Sequence, residues 1–209
     1  MKIEVIFFHL AVYSPILLIS FFFSKKFKLF DFPNEKRKIH SNPVPYTGGI
    51  ALIIYLSLIP LFNSFDKNLE KILLLSILIF FIGLYDDKKK INSTLKILYT
   101  LIPVIILIST GLYIENLGSY ELVGNLSLGK FKYFFCILCV LLVINAVNYI
   151  DGIDGLALSQ VLISFIYLSF LSKEHNTKIF IYLLSLPLFI NLIFNFGVVR
   201  NFKFFSGNS

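Results

Sequence analysis

Apolar runs long enough to approach a hydrocarbon core recur along the whole 209-residue chain, and they restrict its fold more than any single motif does. A helix needs about 20 residues to cross a core ~30 Å thick. Seven such runs are predicted as spans, at 3–23, 48–65, 69–85, 95–114, 131–147, 156–172 and 178–196, with the third and sixth short for a crossing. The runs are continuously apolar rather than alternating, which favours helices over a β-barrel, and a helix satisfies its own backbone in lipid. The predicted fold class is therefore all-α, a polytopic transmembrane helix bundle. Residues 1–209 read as one membrane domain, with no internal repeat and no low-complexity linker. A hydrophobic content of 57% and only 15% charged residues agree with this.

The first run is not a cleaved signal, because Lys25, Lys26 and Lys28 follow the apolar stretch instead of preceding it. It reads as an anchor with its amino end outside. Seven alternating spans then put 24–47, 86–94, 148–155 and 197–209 on the cytoplasmic side of the membrane. With Lys96 assigned to the second of these, they hold 12 of the 19 Lys and Arg residues, as the positive-inside rule requires. The net charge of +7 points to anionic headgroups and anionic substrates. It does not point to nucleic acid, since no soluble basic domain exists to carry such a footprint. The outer segment 115–130 is turn-rich and reads as a hairpin-like connection.

Against this background the acidic groups are conspicuous. Asp86-Asp87 ends one apolar run, and Asn145-Ala-Val-Asn148-Tyr-Ile-Asp151-Gly152-Ile-Asp154-Gly155 separates two others. A charged side chain at bilayer depth costs about 2.5–3.5 kcal/mol on insertion scales, so such groups belong at a cavity, an ion or the membrane edge. Paired carboxylates with amide oxygens suit Mg²⁺ and the phosphates it bridges. Asn148, Asp151 and Asp154 recur every three residues, which would align them on one helix face, but Gly152 and Gly155 favour a broken or capped helix. The segment from Asp31 to Gly49 contains Pro33, Pro43 and Pro45, which enforce an extended path, and Lys36, Arg37, Lys38 and His40, which can cradle a phosphate. The same loop also reads, from its charge, as a topogenic basic loop. Lys96, one turn into the next run, is a phosphate-binding candidate or a snorkelling lysine.

These residues resemble the polyprenyl-phosphate N-acetylhexosamine-1-phosphate transferases, in glycosyltransferase family 4. The resemblance runs through Asp31-x-Pro33…Arg37-Lys38-x-His40-x-x-Pro43-x-Pro45-x-x-Gly48-Gly49, then Gly83-x-x-Asp86-Asp87, then Asn145-x-x-Asn148-x-x-Asp151-Gly-x-Asp154-Gly-Leu-Ala157. It is nearer the branch that uses UDP-N-acetylglucosamine and related sugars than the branch that uses UDP-MurNAc-pentapeptide. What it implies is a Mg²⁺-dependent transfer, with Mn²⁺ as a substitute. The phosphate of an undecaprenyl-type lipid attacks the sugar-bearing phosphorus of a UDP-N-acetylhexosamine and expels UMP, starting O-antigen, lipopolysaccharide or cell-wall polymers. By motif position, Asp86 and Asp87 would be catalytic, with the identity of the base left open. Lys36, Arg37, Lys38, His40, Lys96, Asn148, Gly152 and Asp154 would bind substrate, while Asp87, Asp151 and Asn208 would hold the metal. A homodimer also falls within what the resemblance allows.

The end of the sequence departs from that pattern. Family members carry Lys-x-Phe-x-Gly-Asp there and about ten or eleven helices; this chain has Lys203-Phe-Phe205-Ser-Gly207-Asn208-Ser209 and then stops. Asn208 stands where the metal-binding aspartate is expected, and a neutral amide is a weaker ligand. The expectation is a bundle incomplete at its carboxyl end with little or no transferase activity. Cys136 and Cys139 read as reduced thiols, and His9 and His175 as histidines without partners. Two rival classes are a UbiA-type prenyltransferase, whose paired aspartate motifs leave the basic Pro-rich loop no place, and a transporter, which would predict paired broken helices.

Overall fold

The computed structural model describes residues 3–31, 44–89, 91–122, 124–150 and 155–196. Its elements in order are α1 (Ile3–Lys26), β1 (Phe30–Asp31), β2 (Val44–Pro45), α2 (Thr47–Phe62), α3 (Lys67–Lys89), α4 (Ser93–Ser109), β3 (Asn116–Tyr120), β4 (Gly124–Ser127), a 3-10 turn at Gly129–Phe131, α5 (Lys132–Ile150), α6 (Leu156–Leu171) and α7 (His175–Asn195). Each of the seven predicted runs is a helix. Four are long and apolar enough to cross a membrane: α1, α3, the run Gly129–Ile150 that includes α5, and α7. The other three, α2, α4 and α6, are apolar but shorter, at 16, 17 and 16 residues.

The third run differs most from the reading of the sequence, since α3 extends over 23 residues. It starts early because Asp66 Oδ1 accepts the Leu69 N–H at 2.7 Å and caps the first turn. It ends late because the backbone stays helical through Asp86, Asp87, Lys88 and Lys89, whereas hydropathy stops at the first charge. Prolines 15, 60, 103 and 187 lie inside α1, α2, α4 and α7. Apolar helices packed against neighbours tolerate them, since those neighbours and local adjustment re-satisfy the freed carbonyls.

Neighbouring helices pack in chain order, and α7 returns against α1 and α2. The core sits in that closure: Tyr13 and Leu17 of α1, Tyr55 and Ile59 of α2, Leu69 and Leu73 of α3, and Phe180 and Leu183 of α7. In lipid such packing gains little from the hydrophobic effect, so close contact and interhelical hydrogen bonds matter more. Polar links cross it. The Tyr55 hydroxyl meets His9 Nδ1 at 3.0 Å, with Asn63 Nδ2 at 3.4 Å from His9 Nε2. The Tyr13 hydroxyl donates to Asn191 Oδ1 at 2.6 Å, and Asn191 Nδ2 donates to the Gly48 carbonyl at 3.3 Å. His9, expected to lack a partner, instead has Tyr55 and Asn63 as hydrogen-bonding neighbours, far along the chain, where a local reading does not look.

Far less of α5 is buried; among its side chains only Cys136 is fully so, and Cys139 is half-buried. Both thiols are free, as expected. The predicted hairpin is present as antiparallel β3 and β4, paired from Asn116 with Ser127 to Tyr120 with Gly124. Leu122 at its tip is 99% exposed.

Candidate active site

Contacts between helix ends show which residues share one end of the bundle. Gly48 at the start of α2 meets Asn191 near the end of α7. The last turn of α3 meets the first turn of α4, and Gly155 at the start of α6 lies against Phe196 and Leu192 at the end of α7. The opposite end holds Asn63 with His9, Lys71 with the Thr110 carbonyl, and the hairpin. Asp86, Asp87, Lys96 and Gly155 therefore lie at the same end as Gly48 and Gly49, as does Asn148 in the last turn of α5.

The sharpest feature of that end is a short ion pair. Lys96 Nζ lies 2.6 Å from Asp86 Oδ2, with the two side chains only 14% and 17% exposed. Asn92 makes the geometry possible: its Oδ1 accepts the Leu95 N–H at 2.8 Å, capping α4 and setting Lys96 in its first turn. Each charge opposes its own helix. A carboxylate is disfavoured at the negative C-terminal end of α3, and an ammonium at the positive N-terminal end of α4. Local helix energetics would not select this pair, and each charge is compensated by the other. Tyr85 and Tyr99 flank it with their rings 6.5 Å apart.

Because α3 continues to Lys89, Asp86 and Asp87 are consecutive helical residues and point about 100° apart, since neighbours along a helix do not face each other. Asp86 turns to α4, and the Oδ2 of Asp87 is buried. The two carboxylates are thus divided between two environments.

The second acidic motif is interrupted. Helix α5 ends at Ile150 and α6 starts at Leu156, after Gly155 in a left-handed conformation with φ +75°. The left-handed backbone at Gly155 marks a helix boundary just before α6, as expected for that glycine, while Asp151, Gly152 and Asp154 lie outside the described residues. A Cβ at Gly155 would come 2.5 Å from Phe196 Cζ, so this position needs glycine both for its backbone and for its neighbour. Asn145 Nδ2 donates to the Leu141 carbonyl of its own helix at 2.7 Å.

The other expected site residues, Lys36, Arg37, Lys38, His40, Asp151, Gly152, Asp154 and Asn208, lie outside the described residues. The basic loop is closed at its base by the β1–β2 ladder, which pairs Phe30 with Pro45 and Asp31 with Val44. Among the described residues no three His, Cys, Asp or Glu side chains gather as a metal cluster. A second ion pair, Lys132 Nζ to Glu115 Oε1 at 2.8 Å, lies at the opposite end. There the Lys132 hydrogen bond holds the Glu115 carboxyl below its ordinary range. Sequence reasoning overlooked Asn191, although an amide within an apolar run is the kind of signal that could have found it.

The fold and this polar end define a multi-pass membrane protein that gathers charged groups at one end of its bundle. Residues 69–209, more than half of the chain, match the family described as glycosyl transferase family 4, and the chain belongs to that family. Membership makes it a transferase of the kind that acts on a sugar nucleotide and a polyprenyl phosphate. The match includes both acidic motifs and the final residues, while the Asp31–Gly49 segment lies ahead of it. No curated protein matches the chain.

Proposed function

We propose that the chain transfers an N-acetylhexosamine-1-phosphate, such as GlcNAc-1-phosphate, from its UDP-sugar to undecaprenyl phosphate on the cytoplasmic face of the membrane. An oxygen of the lipid phosphate bonds to the sugar-bearing phosphorus. The bond from that phosphorus to the oxygen bridging it to the nucleotide breaks, and UMP leaves. The carrying observation is the Asp86–Lys96 pair within the family match, which puts an acid and a cation at the bundle end where a lipid-borne phosphate would arrive. Phosphoryl transfer asks the protein mainly for positioning and charge neutralisation. Lys96 supplies a cation that an incoming phosphate can share with Asp86. Once relieved of that partner, Asp86 can orient the attacking phosphate.

The donor chemistry of Asp87, a carboxylate with a buried oxygen, fits Mg²⁺, a hard cation that takes oxygen ligands. Asp87, Asp151 and Asn208 would hold the ion, which when bound neutralises charge on the diphosphate. The amide of Asn208 lowers the affinity, so the unmodified chain is expected to be weakly active or inactive. The test measures UMP release from UDP-GlcNAc with undecaprenyl phosphate, with and without EDTA, for the chain and its Asn208→Asp variant. Metal-dependent release that rises at least about tenfold in the variant supports the reading, a tenfold rate change corresponding to about 1.4 kcal/mol. Release that ignores EDTA overturns the metal assignment, and a failure of the Asn208→Asp variant to release UMP counts against the reaction.

A further inference from the structure

Several buried polar side chains of this bundle bond within their own helix: Thr100 Oγ1 donates to the Lys96 carbonyl at 2.9 Å and Ser169 Oγ to the Ile166 carbonyl at 2.7 Å. Asn191 is different. Its amide is fully buried and both of its ends are used across helices, accepting from Tyr13 on α1 and donating to the Gly48 carbonyl on α2. The partners are 178 and 143 residues away in sequence, so the bonds do nothing for α7 alone and serve only to register it. An amide satisfied in this way inside an apolar bundle is a directional contact, because sliding α7 along its neighbours leaves donor and acceptor unmet where no water replaces them.

Its place in the fold gives this contact a consequence. Gly48 opens the helix that follows the basic segment, and the Tyr46 N–H bonds the Leu29 carbonyl at 3.1 Å, so the entry to that helix is tied to the exit of α1. Asn191 is one turn from the end of α7, where the chain leaves toward Lys203 and Asn208. We infer that Asn191 is a positioning residue for the transferase site: the Tyr13–Asn191–Gly48 clasp sets the end of α7 against the start of α2, and so fixes the helix ends from which the basic segment and the final segment leave. The inference rests on the transferase reading for its catalytic half only. Asn191 itself touches no reacting group.

The test places spin labels on cysteines introduced at the exposed Phe27 and Phe196, with Cys136 and Cys139 changed to alanine, in the full chain carrying Asn208→Asp and reconstituted in nanodiscs. Asn191→Leu removes both bonds while keeping an apolar side chain of similar size. Tyr13→Phe removes one bond and keeps the ring packing, and it covers the case in which the leucine variant fails to assemble. The expected result is a narrow label distance in the parent, a broadened one in Asn191→Leu and an intermediate one in Tyr13→Phe. Turnover should fall by about tenfold and by a few-fold respectively while both variants remain monodisperse, the sensitivity expected when reacting groups shift by a fraction of an ångström. A parent-like distance in Asn191→Leu overturns the clasp. A broadened distance with parent-like turnover overturns its role in the site. Parent turnover is the separate control: its absence counts against the transferase reading, while the label distances still decide the clasp.

Discussion

Asp86 and Lys96 show how far single residues can be read from sequence. Each was legible as a charge beside hydrocarbon, but their pairing was not, because it depends on Asn92 capping α4 and on α3 staying helical past the first carboxylate. The same extension of α3 turned two adjacent aspartates, read as a single cluster, to different sides. A double-mutant cycle tests the pair. Lys96→Met and Asp86→Asn should each destabilise the chain by about 1–3 kcal/mol, and together by less than their sum, because each single change strands a mostly buried charge. Thermal unfolding in nanodiscs reads this, and additive effects would mean that the pair carries no coupling. In the Asn208→Asp background, Lys96→Met should also reduce UMP release by about 100-fold, in line with other losses of a positioned charge donor; release at the level of Asn208→Asp alone would remove Lys96 from the site.

At the scale of elements, the seven helices were legible because continuous apolar runs leave lipid-exposed backbone no other choice. Their ends were less so, since caps such as Asp66 act through hydrogen bonds that hydropathy does not register. The hairpin between α4 and α5 was readable from its turn residues. The boundary just before α6 was announced by Gly155, although the reason for that glycine lies at the end of α7. Gly155→Ala is therefore predicted to cost about 1–3 kcal/mol, part from the left-handed backbone and part from Phe196. Phe196→Leu in the same background should recover the steric part only. A Gly155→Ala chain as stable as the parent would mean that the α6–α7 junction yields freely.

For the whole molecule, the order of the described helices could be read in the sequence, but the return of α7 onto α1 and α2 could not, because Asn191, Tyr13 and Gly48 meet across most of the chain. The sidedness proposed from the charge distribution is testable: in a cysteine-free background, a cysteine at Leu122 should react with an impermeant maleimide on intact cells and one at Phe27 should not, and the reverse pattern would invert the topology. The three short helices carry a further consequence for the surrounding bilayer. At 1.5 Å per residue, α2, α4 and α6 are about 24–26 Å long, several ångströms less than a hydrocarbon core of ~30 Å. All three begin at the charged end of the bundle. Such a mismatch is relieved by local thinning, which would lower the headgroup layer toward Asp86 and Lys96 and let a phosphate borne on a lipid reach them without lifting its chain from the membrane. Turnover of the Asn208→Asp chain should accordingly be higher in bilayers of shorter acyl chains than in those of longer ones at equal fluidity, and a rate indifferent to thickness would show that the membrane does not bend to meet the protein.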